Sequence, residues 1–303
     1  PLNDLPTLKT APHGDVVIGS GKTGMDACLW LLQTGVDADA IRWIMPRDAW
    51  MLPREFAQNS DEFFADTFGN QANQFEALAA AENIDDMYDR LEAAGCVVRF
   101  DETIRPTMFH AATISRPELE ALRSIKNIIR MGRVSALETD KIILDDGVLE
   151  TGPDIVHVDC SASLSRTMPQ MTPKPVFEGN VITPQTIRSF MPVFSGSMIA
   201  YVEAHYTDAE EKNRLCSVVP LPNAAEDFVT MTLAAMMNQF NWSQDKTLRQ
   251  WIRNNRLDGF TKLTSGVDPS DREKMDILMR MRDTAPKAVG NLMKLAEQIP
   301  TSA

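Results

Sequence analysis

An apolar run, Val16-Val17-Ile18, passes directly into three glycines, Gly19, Gly21 and Gly24, spaced G-x-G-x-x-G. A helical pattern follows at once. Met25, Cys28, Leu29 and Leu32 recur at i, i+3, i+4 and i+7, and Gly35 stands where a helix would stop. In a strand-turn-helix unit each glycine has a mechanical task. Gly19 permits the tight turn, Gly21 lets backbone approach a pyrophosphate, and Gly24 lets the helix pack closely on the strand. The pyrophosphate would rest on the unpaired N–H groups of the helix N-terminus, where the macrodipole favours negative charge. Candidate binders are therefore Gly19, Ser20, Gly21, Lys22, Thr23 and Gly24.

A second nucleotide motif overlaps the first. Gly21-Lys22-Thr23 looks like the end of a triphosphate-binding P-loop, G-x-x-x-x-G-K-[ST]. That pattern requires a glycine five positions before Gly21, and the residue there is Val16, inside the strand. The loop is too short to wrap a triphosphate, so a P-loop NTPase is the weakest of the readings. Lys22 is then a solvated residue or a point charge near the cofactor.

The end of the next strand decides which dinucleotide is expected. Ile41-Arg42-Trp43-Ile44-Met45 reads as a strand running into Pro46-Arg47-Asp48. An acid at this point bonds the ribose 2′-hydroxyl of NAD, whereas an arginine accommodates the 2′-phosphate of NADP. Arg47 comes first, and a guanidinium fork suits a phosphate in charge and shape. NADP is the expected cofactor and NAD the alternative. An ordinary surface ion pair is the competing reading of Arg47.

Composition removes several classes of partner. The chain has 303 residues, 44% hydrophobic and 24% charged, enough for one large or two ordinary domains with real cores. A net charge of −12 argues against a nucleic-acid or anionic-membrane partner, while leaving room for a local basic site. The most apolar segment, residues 190–202, is broken by Pro192, Ser195 and Gly196 and is too short to span a bilayer. The four cysteines, Cys28, Cys96, Cys160 and Cys216, form no C-x-x-C pair and read as buried free thiols. No signal peptide is visible at Pro1-Leu2-Asn3-Asp4, so a cytoplasmic location is expected.

Residues 52–94 read as a polar-faced helical insertion, longer than a simple crossover needs, that caps the cofactor, meets a partner or only solubilises. Residues 96–100 restore a strand. Residues 128–134 lead to residues 141–148, where Asp146-Gly147 marks a hairpin whose glycine accepts a positive φ. Residues 154–162 form a further strand ending on small residues, where Ser161 would face the dinucleotide. His157 lies inside this strand as a core or half-exposed histidine. From residue 198 onward the chain reads as mostly helical; the 17 methionines of the whole sequence could make an adaptable binding surface, and those at helical spacing read as core filling. No His or Cys spacing suggests a metal. Ser161 lacks a hydrolase elbow and Cys160 lacks a histidine partner, so no catalytic residue is assigned.

The order glycine fingerprint, basic strand end, G-x-V strand, Asp-Gly hairpin and small-residue strand end resembles a known arrangement. It is similar to the NAD(P)-binding half of the two-dinucleotide-binding flavoprotein superfamily, which includes flavin-dependent monooxygenases and disulfide reductases. The segments 21–28, 46–50 and 158–162 further resemble bacterial FAD/NAD(P)-binding oxidoreductases. The broad resemblance covers residues 14–165. It implies that Arg47 meets the 2′-phosphate and that Asp159-Cys160-Ser161-Ala162 replaces the Ala-Thr-Gly usual at the closing strand.

One departure stands out. The superfamily carries an earlier FAD-binding unit with its own glycine fingerprint, and no second G-x-G-x-x-G occurs here. Residues 176–185 would correspond to a strand and loop returning beside the flavin. FAD is therefore expected only together with an N-terminal half carried elsewhere, which would pack on an exposed apolar surface at residues 179–185 or 198–201.

The expected fold is α/β. A Rossmann-like, three-layer nucleotide-binding domain spans residues 1–165, with the helical insertion at 52–94, and a mostly helical region spans 166–303. The expected function is the NAD(P)H-binding part of a flavin-dependent, monooxygenase-like oxidoreductase acting on an unknown small molecule. The alternative is a sensing or interaction module that binds NAD(P) without turnover. Expected partners beyond the cofactor and substrate are an FAD-binding half or a second copy of the chain.

Overall fold

The computed structural model describes residues 2–8, 13–162 and 174–299. The expected domain boundary at 165/166 falls outside them. In chain order the first elements are β1 (Gly14–Ile18), α1 (Lys22–Gln33), β2 (Ile41–Ile44), β3 (Ala49–Pro53), α2 (Phe64–Ala80), α3 (Ile84–Ala93), β4 (Met108–Ile114) and α4 (Arg116–Arg123). Next come β5 (Asn127–Ile129), β6 (Val134–Leu137), β7 (Lys141–Leu144), β8 (Gly147–Glu150), β9 (Ile155–Asp159), β10 (Phe177–Glu178) and β11 (Val181–Ile182). The rest is helical: α5 (Pro192–His205), α6 (Ala209–Leu215), α7 (Asp227–Gln244), α8 (Lys246–Asn254), α9 (Thr261–Ser265) and α10 (Arg272–Ala296). The chain is thus mixed α/β, with a parallel sheet and many helices. Among the described residues no helix is long and apolar enough to cross a membrane.

The chain divides into two compact units, the first drawn from residues 1–54, 98–169 and 223–225. Its centre is a parallel sheet in the order β5-β2-β1-β9. All five residues of β1 are buried, as a strand covered on both faces requires. On one face Val17 and Trp43 pack against Met25, Cys28 and Leu29 of α1 and Leu119 and Leu122 of α4. On the other, Val16, Ile18 and Ile44 meet Ile142 and Leu144 of the antiparallel sheet β6-β7-β8. Ser115 and Glu118 close a reciprocal capping box at the start of α4, which fixes where that helix begins.

Two expected strands come out differently. Residues 96–100 form only an isolated bridge between Val98 and Met51. The carbonyls of Arg99 and Phe100 accept instead from Nη2 and Nε of Arg123, at 3.0 and 2.9 Å, so a side chain takes the place of a strand partner. Residues 128–134 split into β5 and the start of β6 at Gly132, whose φ is +75°. The β7–β8 turn is made by Asp145 and Asp146. Gly147 has no positive φ; it begins β8 opposite Leu144, and any Cβ there would overlap the Met131 methyl.

The second unit is drawn from residues 55–97, 170–222 and 226–303. Residues 64–80 and 84–93 are helical as expected, and α2 lies along α10. Arg280 of α10 grips Glu76 of α2 at 2.8 Å, and Asn291 Nδ2 donates to the Leu78 and Ala81 carbonyls where α2 ends. A second core gathers Phe194, Met198, Val202, Trp242, Leu248 and Ile252 from α5, α7 and α8. Met198 and Ile199 are therefore buried, whereas Val181 and Ile182 of β11 are exposed. Of the two expected apolar surfaces, only the first is on the outside.

Candidate functional site

The loop after β1 lies between the ends of the two strands that flank it. Gly19 N donates to the Ile44 carbonyl at the end of β2, and Cys160 N just beyond β9 donates to the Ile18 carbonyl. Gly19 has φ +118°, and a Cβ there would stand 2.6 Å from the Cys160 carbonyl oxygen. Only glycine fits such a position. At Gly24 a Cβ would overlap the Gly19 carbonyl oxygen, so the start of α1 rests directly on the loop. That carbonyl also accepts from Trp43 Nε1 at 2.8 Å. Over Gly21, in contrast, an added Cβ would meet nothing within 4 Å. Gly21 is the N-cap of α1, and no side chain caps it. The first-turn N–H groups of a helix left in this way are a ready anion site.

A cleft of about 110 Å³ opens on this loop, the size of a phosphate-scale site rather than of a whole dinucleotide. Gly19, Ser20, Gly21, Arg47 and Ser161 all line it. Three sequence-predicted residues do not. Lys22 pairs with Asp26 one turn along α1, Thr23 is exposed away from the lining, and Gly24 is buried behind the loop. Ser20 Oγ donates to the Arg47 carbonyl at 2.6 Å, tying the loop to the end of β2. The four cysteines are free and buried.

Charge in the cleft runs against that of the chain. Arg47, Arg133 and His110 line it, and among the described residues no carboxylate does. Three neighbouring acids are turned to other work, and one of them, Asp145, accepts from the backbone N–H of Arg133 at 2.7 Å. Asp48 is buried and bound by Nε and Nη2 of Arg130 at 2.8 and 3.0 Å, so it is not placed to bond a ribose. Asp159 accepts from the hydroxyl and the N–H of Ser161, at 2.7 and 2.9 Å, which holds its carboxyl below the usual carboxylate range. Cys160 stays a thiol, because burial pushes its pKa up to about 11. His157 is half-buried and bonds Thr151 Oγ1 at 2.6 Å, and its partial burial lowers its pKa.

Comparison with known proteins finds similarity to mycobacterial proteins. It is 37% identical over 295 residues to the uncharacterized protein Rv2000 of Mycobacterium tuberculosis and, equally, to the uncharacterized protein Mb2023 of Mycobacterium bovis. Each alignment covers 97% of this chain and 54% of the relative. The chain thus spans about half the length of the curated relatives it matches. No family model and no solved structure matches it.

Two residues of the cleft, Arg133 and His110, and one that braces it, Asn223, have no signal in the sequence. Arg133 stands in the Gly132-Arg133-Val134 motif and lines the cleft, and its guanidinium makes no hydrogen bond or ion pair among the described residues. Asn223 reaches the site from 176 positions away: its Oδ1 accepts from Arg47 Nη2 at 2.9 Å and lies 3.0 Å from His110 Nε2. No local pattern could announce it. His110 stands beside Ala111, which has φ +53° in a strand whose pairing with β3 shifts between Trp50 and Leu52. Such bulges re-aim a side chain at the cost of local strain. Among the described residues no cluster of His, Cys, Asp and Glu is placed to hold a metal ion.

Proposed function

We propose that this chain binds NADPH at the β1–α1 loop and forms the NAD(P)H-binding part of a flavin-dependent, monooxygenase-like oxidoreductase. The observation that carries the reading is the glycine loop. Two of its glycines are filled by protein backbone, while the third leaves open space over an uncapped helix terminus. That is the division of labour a pyrophosphate-binding turn requires. The sheet supports a Rossmann-like assignment, because its parallel strands lie in the order third-second-first-fourth. In such sheets ligands bind beyond the strand ends where the order reverses, here between β1 and β9.

NADPH supplies hydride to a flavin when both are bound. This chain's own residues bind and orient the nicotinamide cofactor. Gly21 and the α1 terminus would hold the pyrophosphate, and Arg133 would add charge. Arg47, braced by Asn223 three residues beyond β2, would meet the 2′-phosphate. No residue is assigned to flavin, since the chain holds no second glycine fingerprint.

Replacing Arg47 by Ala tests the reading. It is expected to weaken NADPH binding by about 1.5–3 kcal/mol, roughly ten- to hundredfold, with NADH nearly unchanged. Calorimetric titration of both cofactors against wild type and variant measures this. Equal loss for both would remove Arg47 from the 2′-phosphate.

A further inference from the structure

The second unit contains a much larger cleft, of about 790 Å³, unrelated to the glycine loop. Its size lies within the roughly 300–1,000 Å³ of small-molecule sites. We propose that it binds an uncharged, largely apolar small molecule carrying one carbonyl or hydroxyl acceptor, held at its polar end by Arg188 and Ser189. The proposal does not depend on the NADPH reading.

The walls come from α2, α7 and α10, with Phe68, Phe75, Met236, Met281 and Val289 among them, and from Phe260 at the start of α9. Rings and thioethers of this kind give an adaptable apolar lining. The polar end is built rather than incidental. The Arg188 side chain is 11% exposed, with its guanidinium 4.9 Å from the Phe194 ring centroid and 5.4 Å from that of Phe260. Nη1 lies 3.1 Å from Oδ1 of the fully buried Asp258 carboxyl. Nε and Nη2 make no hydrogen bond among the described residues, and both can donate. Beside Arg188, the Ser189 hydroxyl is buried at the cleft wall and has no hydrogen-bond partner among the described residues. Buried hydroxyls are rarely left so.

The turn that presents these groups is fixed. Ser195 Oγ accepts from the N–H groups of Ile187 and Arg188, both at 3.3 Å, and donates to the Met191 carbonyl. Phe190 is held at φ +60°, a conformation most side chains avoid. Charge then selects the ligand. Arg188 and Asp258 already neutralise each other, so an anionic head group would leave a net negative charge in an apolar site. A neutral acceptor satisfies Ser189 and the spare guanidinium donors without that penalty.

The test titrates the 303-residue chain, without NADPH, with Nile red, a neutral apolar dye bearing one carbonyl. Binding is expected to saturate at one dye per chain, and methyl nonyl ketone should displace it about tenfold better than undecanoate. Ala285→Trp on α10 and Ala235→Trp on α7 place bulk in the walls and should each lower dye affinity at least about tenfold. Ser189→Ala should weaken the ketone several-fold and leave the thermal midpoint unchanged. Circular dichroism identifies which variants fold, and two wall positions keep the test open if one does not. Non-saturable dye binding overturns the proposal and marks the cleft as a packing surface for another polypeptide. So does unchanged affinity in a folded wall variant, or preference for undecanoate.

Discussion

Arg133 and Arg47 approach the same loop but have different neighbours, and this separates what each should do. Arg47 follows β2, where the ribose of a bound dinucleotide would lie, while Arg133 comes from just before β6 and lines the same cleft. Arg133→Ala should therefore weaken NADPH and NADH alike, by about 1–2 kcal/mol or roughly five- to thirtyfold. A loss confined to NADPH in calorimetric titration would move Arg133 to the 2′-phosphate. His157 makes a different kind of prediction. Burial, with Arg42 acting in the same direction, holds its pKa below the ordinary 6.5. The unfolded chain therefore binds the proton more readily than the folded one. The stability His157 contributes is complete above about pH 6.5 and is lost as pH falls below that value towards the folded-state pKa. Thermal midpoints between pH 7.5 and 5.5 should fall less in His157→Gln than in wild type; an identical slope would mean that His157 binds its proton equally well in both states.

The strand-loop-helix of β1 and α1 was legible because its constraints are local: a buried strand, a turn only glycine can make, and a helix periodicity all lie within residues 14–35. Its three glycines are not equivalent, and the structure separates their tasks. Gly24→Ala should destabilise the first unit by about 1–3 kcal/mol, because the new methyl has the Gly19 carbonyl in its place. Gly21→Ala should leave the unfolding midpoint almost unchanged, since its methyl enters open space, yet weaken NADPH binding at least about tenfold. Denaturant unfolding and cofactor titration of the two variants test this together. A Gly21→Ala protein that binds NADPH normally would take the pyrophosphate away from this loop. The strand expected over residues 96–100 was misread for the opposite reason: what replaces its ladder is Arg123, more than twenty positions away, and no periodicity records that.

At the scale of the molecule, a chain of net charge −12 keeps carboxylates out of one small cleft by occupying them elsewhere, Asp48 with Arg130 and Asp159 with Ser161. Composition reports the total and cannot report this sorting. The apolar cleft of the second unit was equally illegible, since Phe68, Arg188, Met236, Phe260 and Met281 meet only after folding. The count of glycine fingerprints, by contrast, is plain in the sequence and carries the last prediction. Tight binding of a dinucleotide needs a glycine turn for its pyrophosphate and a matched strand end for its ribose, and these 303 residues hold one such set. Immobilising a ligand of that size costs several kcal/mol before any contact is counted. The 303-residue chain should therefore bind one NADPH and should bind FAD at least about a hundredfold more weakly. Contacts from the short β10–β11 hairpin alone cannot offset that cost. Fluorescence quenching with each cofactor measures the ratio, and stoichiometric sub-micromolar FAD binding would show that a flavin site exists in these residues without a second glycine turn.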